Sequence, residues 1–237
     1  MARALYAGSG RFTTKTGDRV TRHSFSFGEH YDPANLGFGP MVCHNDDLLA
    51  AGGGYPDHPH TDLEIVTWVL SGALVHTDSS GTTRVVAPGQ VQVLSAGSGV
   101  RHSELADMAA GPTRFVQVWV RPDEPGGAPA YYLDDTELPA GALVPVAGAG
   151  GLPIRTAAAT LHVARLAPGD EVALPDAPLV HVFAATGAVE LPGGSSGVGW
   201  SSEVETLRAG DAARLTDEPE LPIRATEPTE LLVWSFR

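Results

Sequence analysis

Nowhere in this chain do apolar residues recur at i, i+3, i+4 and i+7 for long enough to build an amphipathic helix. Short β-rich runs recur instead, each cut off from the next by glycine or proline. In the first half the clearest runs are 64–70 (EIVTWVL), 73–76, 84–87, 91–94 and 115–120 (FVQVWV), with turns expected at Ser71-Gly72, Ser79-Ser80-Gly81 and Pro88-Gly89. A second set follows at 160–166 (TLHVARL), 179–184 (LVHVFA), 188–191 and 230–236 (ELLVWSF). With 28 glycines and 19 prolines in 237 residues, this rhythm predicts an all-β protein of small antiparallel barrels or sandwiches. The stretch 121–151 is rich in Pro, Gly and Ala and reads as a connector, so two β-modules in tandem are expected, at 1–130 and 131–237.

The halves also carry a faint internal repeat. TWVLSGALVHTD at 67–78 parallels VFAATGAVELPG at 182–193, and VVAPGQVQVL at 85–94 parallels TLRAGDAARL at 206–215. The first copy alone is preceded by a His-x-His pair.

Charge narrows the function classes. The net charge is −13, yet residues 1–22 carry +4 (Arg3, Arg11, Lys15, Arg19 and Arg22 against Asp18), which leaves −17 on the rest. A body this acidic repels phosphate backbones, so direct nucleic-acid binding is not expected, and the basic segment is read as a strand or arm lying on acidic surface. The single cysteine, Cys43, excludes an internal disulfide and is expected to be a small buried apolar group. Neither a signal-peptide core nor a membrane-length apolar run is visible, which suits a soluble, cytoplasmic protein.

The chemistry is concentrated in two short clusters, HPHTDLE at 58–64 and HSE at 102–104. In a strand, side chains two residues apart share a face, so His58 with His60 and His102 with Glu104 can each converge on one point. Glu64 has the parity of the first pair if no bulge intervenes. Facing strands would bring three imidazoles and a carboxylate into one lumen, a donor set suited to a divalent first-row ion and, lacking thiolate, unlike a structural zinc or iron–sulfur site. Whether Glu64 ligates directly or steadies a ligating imidazole stays open on spacing alone. His23, His30 and His44 fall in a loop-rich stretch and are read as hydrogen-bonding or surface residues. His76, His162 and His181 lie in strands without a same-face partner two residues away.

Four segments carry a resemblance to a known family: RHSFSFGEHYDPANLGFGP at 22–40, HNDD at 44–47, GGGYPDHPHTDLEIVTWVLSGALVHTDS at 52–79 and PGQVQVLSAGSGVRHSE at 88–104. The chain resembles the pirin family of bicupins, and within it the shorter bacterial members with quercetinase-like activity. The resemblance implies two cupin barrels, the first holding one metal ion, iron, on His58, His60, His102 and Glu104. The second would have no metal ligands and serve as cover, which suits a monomer. Glu64 is placed by the resemblance in the second layer around the metal. Ser95 where cupins usually have proline, and two extra residues between Gly97 and His102, depart from the general cupin pattern in the pirin-like manner.

The implied reaction is dioxygenation of a flavonol such as quercetin with O2, releasing carbon monoxide and leaving a depside. Glu104 is then the expected base for the flavonol 3-hydroxyl. Phe25, Phe27, Tyr31, Phe38 and Met41 are candidates for an apolar wall over a flat substrate, or equally for ordinary packing of the N-terminal segment. Two other functions remain compatible: a metal-dependent, redox-sensing regulator that binds a protein partner, and a cupin enzyme for another small molecule.

Overall fold

The short runs pair into antiparallel ladders along most of the chain. The computed structural model describes residues 2–135, 137–193, 204–218 and 220–237, and its one helical element among them is a 3-10 turn at Gly8–Gly10. The chain divides into two compact units, one made of Phe12–Thr136 with Leu152–Ala157, the other of Met1–Arg11, Glu137–Gly151 and Ala158–Arg237. This differs from a cut at 130/131. The first strand, Ala2–Tyr6, pairs with Ala212–Thr216 of the second unit, where Arg3 meets Glu205 at 2.7 Å and Glu218 at 3.4 Å. The supposed connector contains two strands, Ala130–Asp134 and Val144–Gly148. The first of these pairs with Val91–Ser95, and its alternation packs Tyr131 and Leu133 onto two separate core clusters.

In the first unit a seven-stranded sheet runs in the order Ala130–Asp134, Val91–Ser95, Glu64–Ser71, Thr113–Val120, Met41–Leu49, Arg19–His23, Phe12–Lys15. A four-stranded sheet runs Gly54–His60, Val100–Ala106, Leu74–Asp78, Thr83–Val86. His23 and His44 therefore lie in strands, not in the loop expected of them.

The lumen of this unit is layered. Val69, Phe115, Leu74 and Ala106 belong to one apolar cluster, and Ile65, Leu94 and Val100 to another, with Trp119 packed against it. Between them, at two-residue spacing on the same strands, come Thr67, Gln117, His76, His102, Glu104 and Gln92, all buried. The period of two thus threads one polar layer between two apolar ones.

The strand Gly54–His60 lies at the edge of its sheet, the position where Pro56 and Pro59, which have no N–H to donate, are tolerated. Its register against Val100–Ala106 shifts between His102, opposite His58, and Glu104, opposite Tyr55. Gly54 has φ +145°, and a Cβ there would collide with the Glu104 carbonyl oxygen, so the close approach of these two strands requires glycine.

The second unit has a six-stranded and a four-stranded sheet, with an apolar cluster that includes Val182, Leu191, Ala213 and Val233. Both units close a hairpin in the same way. Gly72 (φ +74°) and Gly187 (φ +69°) each press against a Pro-Thr pair, Pro112-Thr113 and Pro228-Thr229. The Thr113 hydroxyl accepts from the Ala73 N–H at 3.1 Å and donates to the Ala73 carbonyl at 2.9 Å. The Thr229 hydroxyl does the same with Ala188, at 3.1 Å in each direction.

Removing either hydroxyl leaves a buried N–H and C=O of the hairpin without that partner. Thr113→Val and Thr229→Val are each expected to lower unfolding stability by about 1–3 kcal/mol. Urea unfolding midpoints check this, and unchanged midpoints would show that the latches contribute nothing.

Candidate metal centre

The antiparallel pairing of Gly54–His60 with Val100–Ala106 sets His58 opposite His102 and His60 opposite Val100. The ladder thereby brings three imidazoles together, with ring centroids 4.4 Å apart for His58 and His102, 4.9 Å for His58 and His60, and 5.0 Å for His60 and His102. One ring nitrogen from each of the three lies within 4.8 Å of the others. A second group within the same span, His76, His102 and Glu104, shares His102 with the first. Of the four residues read as ligands, the structure therefore gathers His58, His60 and His102 directly, and joins Glu104 to them through His102.

Protonation favours metal binding. The His58 Nδ1–H donates to the Pro56 carbonyl at 2.8 Å, and because a carbonyl can only accept, Nε2 is left with its lone pair. His60 Nε2 and His102 Nε2 are buried and have no hydrogen-bond partner. Burial, reinforced by the neighbouring histidines, pushes His60 down to about 4 and His102 down to about 3, so both rings stay neutral near pH 7. Buried ring nitrogens gathered close together without hydrogen-bond partners are what a cation would satisfy. The residues fit a divalent ion on this ground alone.

Glu104 is held on both oxygens. Gln92 Nε2 donates to Oε1 at 2.6 Å and Gln117 Nε2 to Oε2 at 2.7 Å. The amides are themselves fixed, because the Tyr131 hydroxyl donates to Gln92 Oε1 at 3.0 Å and the Trp119 indole N–H to Gln117 Oε1 at 3.0 Å. Both glutamines also donate to Thr67 Oγ1, at 3.2 and 3.1 Å.

Glu64 stands elsewhere. Residues 61–63 separate the two strands, and the parity carried over from His58 and His60 does not survive that break. Glu64 alternates with the lumen-facing Ile65, Thr67 and Val69, and its Oε2 accepts from the Ser95 hydroxyl at 2.6 Å and the Arg155 N–H at 3.1 Å. Its hydrogen bonds reach no imidazole, in contrast to the second-layer role that the resemblance implied. His76, set aside on sequence, is fully buried, hydrogen-bonds Asp78 two residues on at 3.0 Å, and lies 3.5 Å from His102 between Nδ1 atoms. Gln92 and Gln117 were also missed, although each sits in a Val-Gln-Val triplet, a polar residue at an inward position of an apolar strand.

The expected aromatic wall is only partly at the site. Phe25 and Met41 are core residues, and Tyr31 is 72% exposed. Phe27 meets Trp119 edge-on at 5.3 Å, and Trp119 meets His60 at 4.9 Å. Phe27 and Trp119 are thus the aromatic groups that continue the centre outward.

Folded His60 and His102 stay neutral at pH values where an unfolded histidine, at 6.5, takes up a proton. Their stabilising contribution is complete above pH 6.5 and declines as the pH falls toward 4, by about 2 kcal/mol for each ring at pH 5. Asp47, pushed up to about 7 chiefly by burial, acts in the opposite sense and is common to all variants compared. The metal-free protein should therefore lose more thermal stability between pH 7 and 5 than its His60→Gln/His102→Gln variant, and equal losses would contradict the assignment of neutral rings.

Comparison with known proteins identifies the family. The pirin family profile matches residues 8–120. A Mycobacterium tuberculosis protein provisionally named quercetin 2,3-dioxygenase is 44% identical over 233 residues, 95% of this chain and 91% of its own length. A pirin-like protein of Caulobacter vibrioides is 37% identical over 223 residues, 90% of each chain. Among solved structures, the bacterial pirin YhhW of Escherichia coli in complex with nickel(II) superposes with a TM-score of 0.88 at 27% identity, covering 99% of both chains. With relatives matched across nearly their whole length, and two β-units of which the first gathers the histidines, the chain belongs to the pirin family.

Proposed function

We propose that this pirin holds one divalent ion, iron(II), on His58, His60, His102 and Glu104, and uses dioxygen to open the heterocycle of a flavonol such as quercetin. The observation that carries the reading is the pair of buried, unpartnered Nε2 atoms on His60 and His102, facing a His58 whose Nδ1 proton is already committed. The quercetin 2,3-dioxygenase of Escherichia coli, 43% identical over 109 residues covering 46% of this chain and 47% of its own length, supports the substrate class. The nickel(II) bound to the E. coli pirin supports a divalent ion.

An ion held by three neutral nitrogens and one carboxylate supplies Lewis acidity and leaves positions for exchangeable ligands. The chain supplies the rest. Glu104 accepts the proton of the flavonol 3-hydroxyl, and Gln92 and Gln117 keep its oxygens in place while it does so. Trp119 and Phe27 offer ring surface against which a flat aromatic substrate stacks. The three histidines would hold the ion where the reacting groups meet.

Iron-loaded protein should consume one O2 for each quercetin lost and release one carbon monoxide. His58→Ala and Glu104→Ala should each lower kcat/KM by about a hundredfold or more, the range expected when a ligand or general base is removed. An oxygen electrode combined with metal analysis reads both quantities. Full metal occupancy without turnover across a flavonol panel would sink the enzyme reading and favour a regulatory binder. Trp119→Ala should raise KM for quercetin by about tenfold while changing kcat less, the signature of lost substrate stacking.

A further inference from the structure

Three buried side chains, Asp78, His76 and His102, form a line that ends at the unpartnered Nε2 of His102. The first, Asp78, is anchored through Oδ1, which accepts from the Ser80 N–H at 2.8 Å, the Ser80 hydroxyl at 2.5 Å and the Thr82 N–H at 3.2 Å. Its other oxygen, Oδ2, lies 3.0 Å from His76 Nε2. His76 has no exposed surface, is stacked on Tyr131 with centroids 4.5 Å apart, and places Nδ1 3.5 Å from His102 Nδ1. His102 Nε2 is then the buried atom without a partner.

With Asp78 ionised and both imidazoles neutral, one distribution of protons satisfies all of these contacts. A carboxylate accepts, so His76 Nε2 carries the hydrogen and His76 Nδ1 keeps its lone pair. That lone pair accepts from His102 Nδ1–H, over a long contact, which obliges His102 Nε2 to be the bare nitrogen. We propose that His76, held by Asp78, is a positioning residue that fixes the tautomer and ring orientation of His102 and so selects Nε2 as its metal-binding atom. The relay lies on the lumen side of the strand Leu74–Asp78, paired across the ladder with His102 through Asp78 and with Glu104 through His76. It explains why a fully buried histidine sits beside a ligand without facing His58 or His60. A carboxylate acting through one imidazole on a ligating imidazole both aligns the ligand and raises its donor strength.

The inference rests on the metal-centre reading above, and its test separates the two. His76→Leu removes the acceptor for His102 Nδ1–H, whereas His76→Asn keeps an amide oxygen close to the position of Nδ1. Both variants lose the ring stack on Tyr131 to a similar degree. Nickel(II) affinity by calorimetric titration should fall about tenfold or more in His76→Leu and stay near wild type in His76→Asn. The cobalt(II) ligand-field bands should shift in the leucine variant alone. In the metal-free wild type, nitrogen NMR should find His102 as the Nδ1–H tautomer. Equal losses in both variants would reduce His76 to a packing residue, and an Nε2–H tautomer of His102 would overturn the proposal without any metal being present. If wild-type protein binds no nickel yet His102 shows the Nδ1–H tautomer, the metal reading fails while the relay stands.

Discussion

A polar atom buried in a protein interior needs a partner, and among those the first unit leaves without one are the neighbouring His60 Nε2 and His102 Nε2. Everything around them is arranged so that no protein donor fills that role. His58 spends its proton on the Pro56 carbonyl, and the Gln92 and Gln117 amides spend theirs on Glu104 and Thr67. The result is a pocket of acceptors inside a lumen whose layers above and below are apolar. Such an arrangement is costly for a chain that binds nothing there, and it becomes favourable once a cation supplies the missing positive charge.

The apolar layers also determine how firmly the acceptors are held. Side chains that line the lumen alternate with outward-facing ones, so each polar residue of the middle layer has an apolar neighbour two positions away on its own strand. His102 and Glu104 lie between Val100 and Ala106, Thr67 between Ile65 and Val69, and Gln117 between Phe115 and Trp119. Rotation of any one of them would push a polar group into hydrocarbon or open a void, and both are unfavourable. Positional accuracy at the centre therefore derives from ordinary hydrophobic packing of the strands that carry it.

How much of this was legible in the sequence differs residue by residue. The shared faces of His58 with His60 and of His102 with Glu104 followed from strand parity, because each pair lies within one strand. Glu64 misled for the complementary reason: the turn at 61–63 breaks the parity, and counting through it assigns the wrong face. His76 was passed over because its partner at i+2 is Asp78, an acceptor and not a second metal ligand, while its approach to His102 comes from a neighbouring strand that sequence spacing does not reveal. The strand Ala130–Asp134 was hidden by the prolines and glycines around it, yet Tyr131 and Leu133 already alternated as strand residues do. The boundary between units was beyond reach of composition, since Ala2–Tyr6 joins a sheet whose other strands lie at the far end of the chain.

The matched hairpin latches supply an internal ruler. Counting from Gly72 and Gly187 sets Thr67 against Val182 and His76 against Leu191, and counting from Thr113 and Thr229 sets Gln117 against Val233. The Gly89 and Gly210 turns likewise set Gln92 against Ala213. Every one of these counterparts belongs to one apolar cluster of the second unit. The scaffold is therefore indifferent to what fills it: one backbone plan accommodates either a hydrocarbon interior or a layer of buried histidines and amides, and a handful of positions in the middle stratum separates the two.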